Sequence, residues 1–333
     1  MLYLTYNNSS FTDGAGAQLQ RILGIYALCK LLGCRYVHSP LSEIGYQGLS
    51  VLESGEEISN LCYLYNSFYK FPDYALNVDH FDGLVIDNTE PDLTDIALLQ
   101  EQSILSDRDI LLRITLPYKI IDQYPGAYKT VHGLISDNSL NTISGLNELH
   151  FFGEFNSVNS SIVTIAVHVR RGELFAVDSH RMLSNQYYIA VCKAIARILD
   201  LLGKQYRFHL YTEIPTSLFI VSGKSHGILN RINKDVAVTP EQLFISEFDV
   251  IPNLTLRVNE HQVSTLFNLS TADILVGSRS SFSYVAAVAG TVKATFLPQF
   301  WHSLLPGWIE TDPKSGAFDM DSGFEILKDI ESF

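Results

Sequence analysis

The chain has 333 residues, 47% of them hydrophobic and 18% charged, and its formal charge is −13. That length exceeds what one core usually organises, so about two domains are expected, and the acidic balance excludes a broad nucleic-acid or anionic-membrane surface. The four cysteines (Cys29, Cys34, Cys62, Cys192) show no metal-ligand spacing, and Cys29 and Cys192 fall in apolar helical patterns where reduced core thiols are the default. No charged start precedes an apolar leader, and no apolar run reaches spanning length, so a soluble, cytoplasmic protein without a membrane segment is expected.

In chain order, Met1–Tyr6 reads as a strand and Asn7–Gly16 as a loop. Gln18–Leu32 has helical periodicity through Leu19, Ile22, Leu23, Tyr26, Ala27 and Leu31, with Gly33 as its stop. Arg35–His38 is a second strand closed by Ser39-Pro40, and a helix fits Glu57–Phe68. Gly83–Ile86 and Ile110–Ile114 are short buried strands. From Tyr118 to Ser160 the pattern loosens into Pro, Gly, Asn and Ser with one helix in between, and the domain crossing is placed there. The second half restarts with a strand through His168, a helix over Asn185–Leu202 and a strand over Tyr206–Tyr211. Leu243–Ser246 and Leu254–Arg257 read as strands, His261–Leu269 as a helix, Asp273–Val276 as a strand and Ser283–Ala289 as a helix. Val292–Phe296 closes the sheet, and an irregular acidic tail follows. Helices alternating with short strands imply α/β architecture with mostly parallel sheets. Two Rossmann-like domains facing each other across a cleft are expected, residues 1–155 on the acceptor side and 156–333 binding the nucleotide.

Chemistry concentrates at strand ends. The apolar, β-branched run Ile162–Val169 passes directly into Arg170-Arg171-Gly172-Glu173. In open α/β sheets ligands sit where strand carboxyl ends give way to loops, and paired guanidiniums there suit an anion. Surface salt bridges would also use such a pair; the strand-end placement favours a site. Leu210-Tyr-Thr-Glu213 is a second strand end, whose carboxylate can accept from ribose or base groups or simply cap a helix. The third, Val276-Gly-Ser-Arg-Ser-Ser-Phe-Ser-Tyr284, opens a helix with serines that serve as N-cap, as phosphate seat, or as both. In the first half, Asp13-Gly-Ala-Gly-Ala-Gln18 precedes a helix, where two glycines admit a ligand or merely make a turn. Leu19 stands where a dinucleotide fingerprint has its third glycine, and no Gly-x-x-x-x-Gly-Lys occurs, which argues against NAD and P-loop chemistry.

These segments carry a resemblance. His168-Val-Arg-Arg-Gly-Glu173 is similar to the His-x-Arg-Arg-Gly-Asp motif of the GDP-fucosyltransferase superfamily (α1,2-, α1,6- and protein O-fucosyltransferases). Asp13-Gly-Ala-Gly-Ala-Gln18 resembles its Gly-x-Gly-Asn-Gln loop, with Ala17 in place of asparagine. Ser280-Ser-Phe-Ser-Tyr284 followed by Ala286-Ala287 resembles its Ser-x-Phe-Ser-x-x-Ala-Ala element. The resemblance implies a GT-B glycosyltransferase that is inverting, needs no metal and has no cofactor beyond a GDP-sugar donor, most simply GDP-fucose with a glycan hydroxyl as acceptor. It implies a donor site of His168, Arg170, Arg171, Gly172, Glu213, Ser280, Ser281 and Phe282, with Gly14 and Gly16 beside it. Arg170 would stabilise the departing diphosphate.

Inversion needs a base for the acceptor proton, and Asp13 and Glu173 are the candidates. His38, Trp301 and His302 are candidate acceptor-lining residues, each equally suited to packing. Alternatives are a glycosyltransferase using another GDP- or UDP-sugar, or a non-catalytic nucleotide- or carbohydrate-binding protein of the same fold. The acceptor glycan, its linkage and the oligomeric state are not encoded in any readable motif.

Overall fold

The computed structural model describes residues 1–7, 13–46, 48, 55–68, 78, 81–135, 161–172, 174, 179–214 and 245–330. Glu173 and the expected domain boundary at 155/156 lie outside them. The first half contains β1 (Leu2–Tyr6), α1 (Ala15–Leu32), β2 (Arg35–Tyr36), α2 (Ile58–Phe68), β3 (Leu84–Asn88), α3 (Leu93–Ser106), β4 (Ile110–Ile114) and α4 (Tyr118–Ile121). Its four strands form a parallel sheet in the order β2-β1-β4-β3. The second half contains β5 (Ile162–Val169), α5 (Asn185–Leu201), β6 (Gln205–Thr212), β7 (Leu254–Val258), α6 (Gln262–Thr271), β8 (Ile274–Val276), α7 (Ser281–Ala289), β9 (Ala294–Leu297), β10 (Ile309–Glu310) and α8 (Met320–Lys328). These six strands are parallel in the order β10-β9-β8-β5-β6-β7. Read outward from β5, that is the Rossmann order, whose ligand crevice opens between β5 and β8. The first sheet has a different order but is likewise parallel and helix-covered, and the two α/β halves make the expected GT-B arrangement.

The halves share a core. Fourteen of the eighteen residues of α1 are buried, so it is covered on nearly every side, as an all-round apolar helix must be. One apolar cluster runs from β1, α1 and β4 through α6 and α7 to Ala166, Tyr211 and Leu275 on the inner face of the second sheet. A separate cluster fills the opposite face of that sheet beneath α5 and α8. The halves approach closely at Gly16, where a Cβ would lie 2.6 Å from the backbone nitrogen of Phe282. Only glycine lets α1 and α7 meet backbone to backbone there.

Three stretches differ from the sequence reading. Helix α3 was not anticipated, although Asp92 caps Asp95 N–H at 3.0 Å and Asp95 accepts from the Asp92 N–H at 2.9 Å, a capping box. Ile245–Val250 is a 3-10 turn rather than the end of a strand, because Ile245 and Phe248, three apart, fall on one side of it; Leu243 and Phe244 lie outside the described residues. The tail is not irregular. It adds β10 beyond β9 and then α8, capped by the Asp319 side chain on Asp321 N–H. No described helix is long and apolar enough to cross a membrane.

Candidate active site

The crevice between β5 and β8 is tied by one hydroxyl. Ser278 Oγ donates to the His168 carbonyl at 2.6 Å and accepts from the Arg170 N–H at 3.0 Å. With its single proton committed, it can only accept from the Tyr188 hydroxyl at 2.6 Å. Ser278 is 2% exposed, so it closes the end of the sheet and fixes the direction in which the chain leaves β5. This staple was not readable in sequence, since its three partners come from β5, the segment after it, and α5.

Above it lies a cleft of about 480 Å³, open mouth included, lined by His168, Arg170, Arg171, Glu213 and Phe282 among others. His168, Arg170, Arg171, Glu213 and Phe282, named from sequence, therefore line one cleft, whereas Ser280 and Ser281 do not line it. His168 is buried, and its Nδ1 lies 2.6 Å from the Ser283 hydroxyl. Burial pulls its pKa down to about 3, with the positive charge of Arg170 adding to the effect, so the ring is neutral. The two arginines separate in role. Arg171 is 8% exposed; it donates to the Arg170 carbonyl at 3.0 Å and to Asn185 Oδ1 at 2.7 Å, and it sits over the Tyr188 ring at 5.8 Å. Asn185 in turn donates to Glu247. Arg171 thus braces the loop, while the half-buried Arg170 guanidinium lies 5.6 Å over the Tyr46 ring at the cleft.

Tyr46 is a cleft residue that sequence reasoning missed. It arrives from the first half, and its hydroxyl donates to Glu213 Oε2 at 3.0 Å. Gly172 makes room for that contact. Its φ is +52°, and a Cβ would stand 2.4 Å from Glu213 Oε2 and 2.9 Å from the Tyr46 hydroxyl. Gly48, Glu260, Gln262 and Thr265 complete a wall that crosses between halves. Tyr65 donates to Gln262 at 2.8 Å, and His261 lies 3.0 Å from Glu56, so α2 and the start of α6 are pinned together. No local motif marks these residues.

The glycine loop serves this wall. Gly14 is the N-cap of α1 with nothing within 4 Å of a Cβ, whereas Gly16 is filled by Phe282 rather than by open space. Neither lines the cleft. The Gln18 amide donates to the Asp13 and Glu43 carbonyls, both at 2.8 Å, and Gly45 N–H donates to Asp13 at 3.0 Å. The loop therefore holds the segment that presents Tyr46. The Asp13 carboxylate is engaged by the buried Arg21 at 2.5 Å, which also contacts the Tyr118 and Tyr6 hydroxyls. Asp13 lines neither this cleft nor its neighbour.

A second, smaller and shallow pocket of about 270 Å³, open mouth included, is lined by Ser278, Ser280, Ser281, Tyr284, Trp301 and His302, with Gln20 from α1. Ser280 caps α7, accepting from Phe282 N–H at 3.2 Å. Trp301 is 57% exposed, stacks on Phe300 at 4.0 Å and carries the Arg181 guanidinium at 4.3 Å. His302 Nδ1 lies 3.0 Å from both carboxylate oxygens of Asp122. His38 is not brought to either pocket. Its Nδ1 pairs with the Tyr36 hydroxyl at 2.9 Å, and burial pulls its pKa down to about 4. Among the described residues no group of three or more His, Cys, Asp or Glu side chains is placed to hold a metal ion.

No protein-family model and no curated protein matches the sequence. Solved structures align along nearly the whole chain. NodZ α-1,6-fucosyltransferase soaked with GDP-fucose is 14% identical over 96% of this chain and 97% of its own, with a TM-score of 0.40. POFUT1 in complex with GDP-fucose is 11% identical over 91% and 98%, also with a TM-score of 0.40. A trehalose-6-phosphate protein of E. coli bound with UDP-2-fluoro glucose is 11% identical over 98% and 90%, at 0.31. With identities of 14% or less and TM-scores of 0.41 or below, the functional reading rests on this chain's own residues.

Proposed function

We propose that the protein is a glycosyltransferase that takes a sugar from a nucleotide-diphosphate donor, GDP-fucose being the leading candidate, and passes it to a glycan hydroxyl with inversion and without a metal. The observation that carries this reading is the crevice between β5 and β8. There a Rossmann-ordered sheet presents Arg170, neutral His168, Glu213 and the first turn of α7 to one cleft. Departure of a nucleoside diphosphate builds negative charge, which a fixed guanidinium and helix-end N–H groups stabilise without reorganising. Arg170 takes the diphosphate, with Ser280 and Ser281 at the helix start contributing donors. Glu213, presented beside Tyr46, accepts from the nucleoside. The role expected of paired arginines falls mainly to Arg170, since Arg171 spends its donors on the protein. Glu173, which follows directly in the chain, stays a candidate acid of the same site.

Calorimetric titration with GDP, UDP and ADP, each with and without EDTA, tests the reading. Tight, EDTA-insensitive binding of GDP alone supports the fucosyltransferase-like site. Preference for UDP keeps the transferase and changes the donor. Binding of GDP without any turnover of GDP-fucose points to a non-catalytic nucleotide-binding protein, and no binding of any of the three sinks the donor-site assignment.

A further inference from the structure

An inverting transfer needs a group to take the acceptor proton, and the described acids of the cleft have other duties. Glu213 accepts from Tyr46 and Glu260 pairs with Arg257 at 3.6 Å, while Asp13, outside the cleft, is held by Arg21. The smaller pocket offers a better-built group. Asp122, which ends α4 in the first half, places both carboxylate oxygens 3.0 Å from His302 Nδ1, which belongs to the second half. A carboxylate on Nδ1 keeps the proton on that nitrogen and leaves Nε2 as a lone-pair acceptor. No described residue hydrogen-bonds Nε2, and His302 lines the pocket together with Ser280 and Ser281. The ring is held between Tyr118, 4.4 Å away at 34°, and the edge of Tyr284 at 6.0 Å.

Position also suits the role. Tyr118 and Asp122 follow β4, whose carboxyl end, with that of β1, forms the crevice of the first sheet. Ser278, on the pocket wall, accepts from the backbone N–H of Arg170, which lines the donor cleft, so one buried hydrogen bond links the walls of the two. The groups facing His302 are Asp122 and Tyr118 from α4 and its end, Tyr284 and the two serines from α7, and Gln20 from α1. Tyr118 is pushed up to about 12, mainly by burial and despite Arg21, and burial likewise raises Tyr284, so both are neutral. Arg21 donates to the Tyr118 and Tyr6 hydroxyls and is matched by Asp13. Among these groups the one charge placed against the ring is therefore the Asp122 carboxylate at Nδ1.

We infer that His302, oriented by Asp122, is the general base of the transfer. The acceptor O–H proton passes to His302 Nε2 while the acceptor oxygen bonds to the anomeric carbon. The bond from that carbon to the diphosphate oxygen breaks, its electron pair leaves with the nucleoside diphosphate, and the imidazolium later releases its proton to solvent. The assignment rests on the transferase reading, so its test separates the two.

GDP affinity, GDP release from GDP-fucose between pH 5 and 9, and carbethoxylation of His302 by diethyl pyrocarbonate are measured for wild type, His302→Gln and Asp122→Asn. His302→Gln should keep GDP affinity and lose about 100-fold or more in turnover together with the acidic limb of the pH profile. Asp122→Asn should lose less, in kcat rather than KM, because the ring is no longer held in the tautomer that leaves Nε2 open, and its retained GDP affinity verifies the fold. His302 should react in wild type, with His168 and His38 protected as internal controls. Turnover and acidic limb unchanged in His302→Gln, with GDP still bound, would overturn the base and leave the transferase standing. If wild type neither binds GDP nor releases it from GDP-fucose, the transferase reading fails, and the base assignment is overturned with it, whatever the reactivity of His302.

Discussion

The strand ends of the two sheets solve the same geometric problem differently. In the second half, β5, β6 and β8 bring His168, Arg170, Glu213 and the start of α7 to one crevice within residues adjacent to the strands themselves. In the first half the crevice of β1 and β4 is filled by a self-satisfied set: Asp13 on Arg21, Arg21 on Tyr6 and Tyr118, Tyr118 against His302, and His302 on Asp122. One end is built to receive charge from a ligand, and the other neutralises its own and leaves one ring nitrogen over. On the proposed transferase reading that asymmetry suits the substrates, because the donor would bring the charge and the acceptor only hydroxyls.

The sharpest way to break the comparison is the arginine pair. Arg170→Ala should weaken GDP binding by about 30-fold or more, the scale of one lost charge-assisted contact, with the melting temperature little changed. Arg171→Ala should do the reverse first, destabilising the fold by about 2 kcal/mol as Asn185 and the Arg170 carbonyl lose their donor. Calorimetry and thermal melts of both variants check this, and equal loss of affinity at equal stability would show that both guanidiniums face the ligand.

The interface between halves comes next. Gly16→Ala places a methyl 2.6 Å from the Phe282 backbone and should cost about 1–3 kcal/mol by prising α1 from α7. Gly14→Ala meets nothing and should cost only about 0.5–1 kcal/mol in chemical denaturation, the loss of a favoured N-cap residue. Similar costs for the two would mean that the close approach is not a constraint.

The buried histidines make a pH test. His168 and His38 have folded pKa values of about 3 and about 4, below their ordinary 6.5. Depressed values mean that the unfolded chain binds the proton first, so their contribution is complete above about pH 6.5 and is lost progressively as pH falls toward 3 to 4. Stability should therefore drop on the order of 1 kcal/mol or more between pH 7.5 and 5. His168→Asn and His38→Asn should each flatten that dependence by a similar amount, since both folded values lie below the window. A pH-independent wild type would remove both.

The smallest effect expected is at the capping box of α3. Asp92→Ala should lower the melting temperature by about 1–2 °C, with GDP affinity unchanged, since the box lies far from either crevice in sequence and caps an outer helix.

Legibility followed the range of the interaction. Alternating apolar runs and strand-end motifs are local, so the parallel α/β architecture, most strands, and the convergence of His168, Arg170 and Glu213 could be read from neighbours in sequence. Even so, the capping box at Asp92 and Asp95 was a local signal that went unread, and with it α3. The roles of Gly14, Gly16 and Asp13 were not legible, because their partners, Phe282 and Arg21, lie on surfaces that only folding brings together. Tyr46, Ser278 and the His302–Asp122 pair carry no motif at all. They become functional candidates through contacts with Glu213, Arg170 and each other across separations of 108 to 180 residues.

By itself, then, the sequence determined the element types and the charge placed at the end of β5, since hydrophobic periodicity and chain adjacency are properties of short windows. The tertiary structure decided which arginine faces the cleft, which glycine is a packing requirement, and which polar side chains are already satisfied. Those depend on burial and on partners from the other half, and a hydrogen bond or a close contact exists only once both sides are in place.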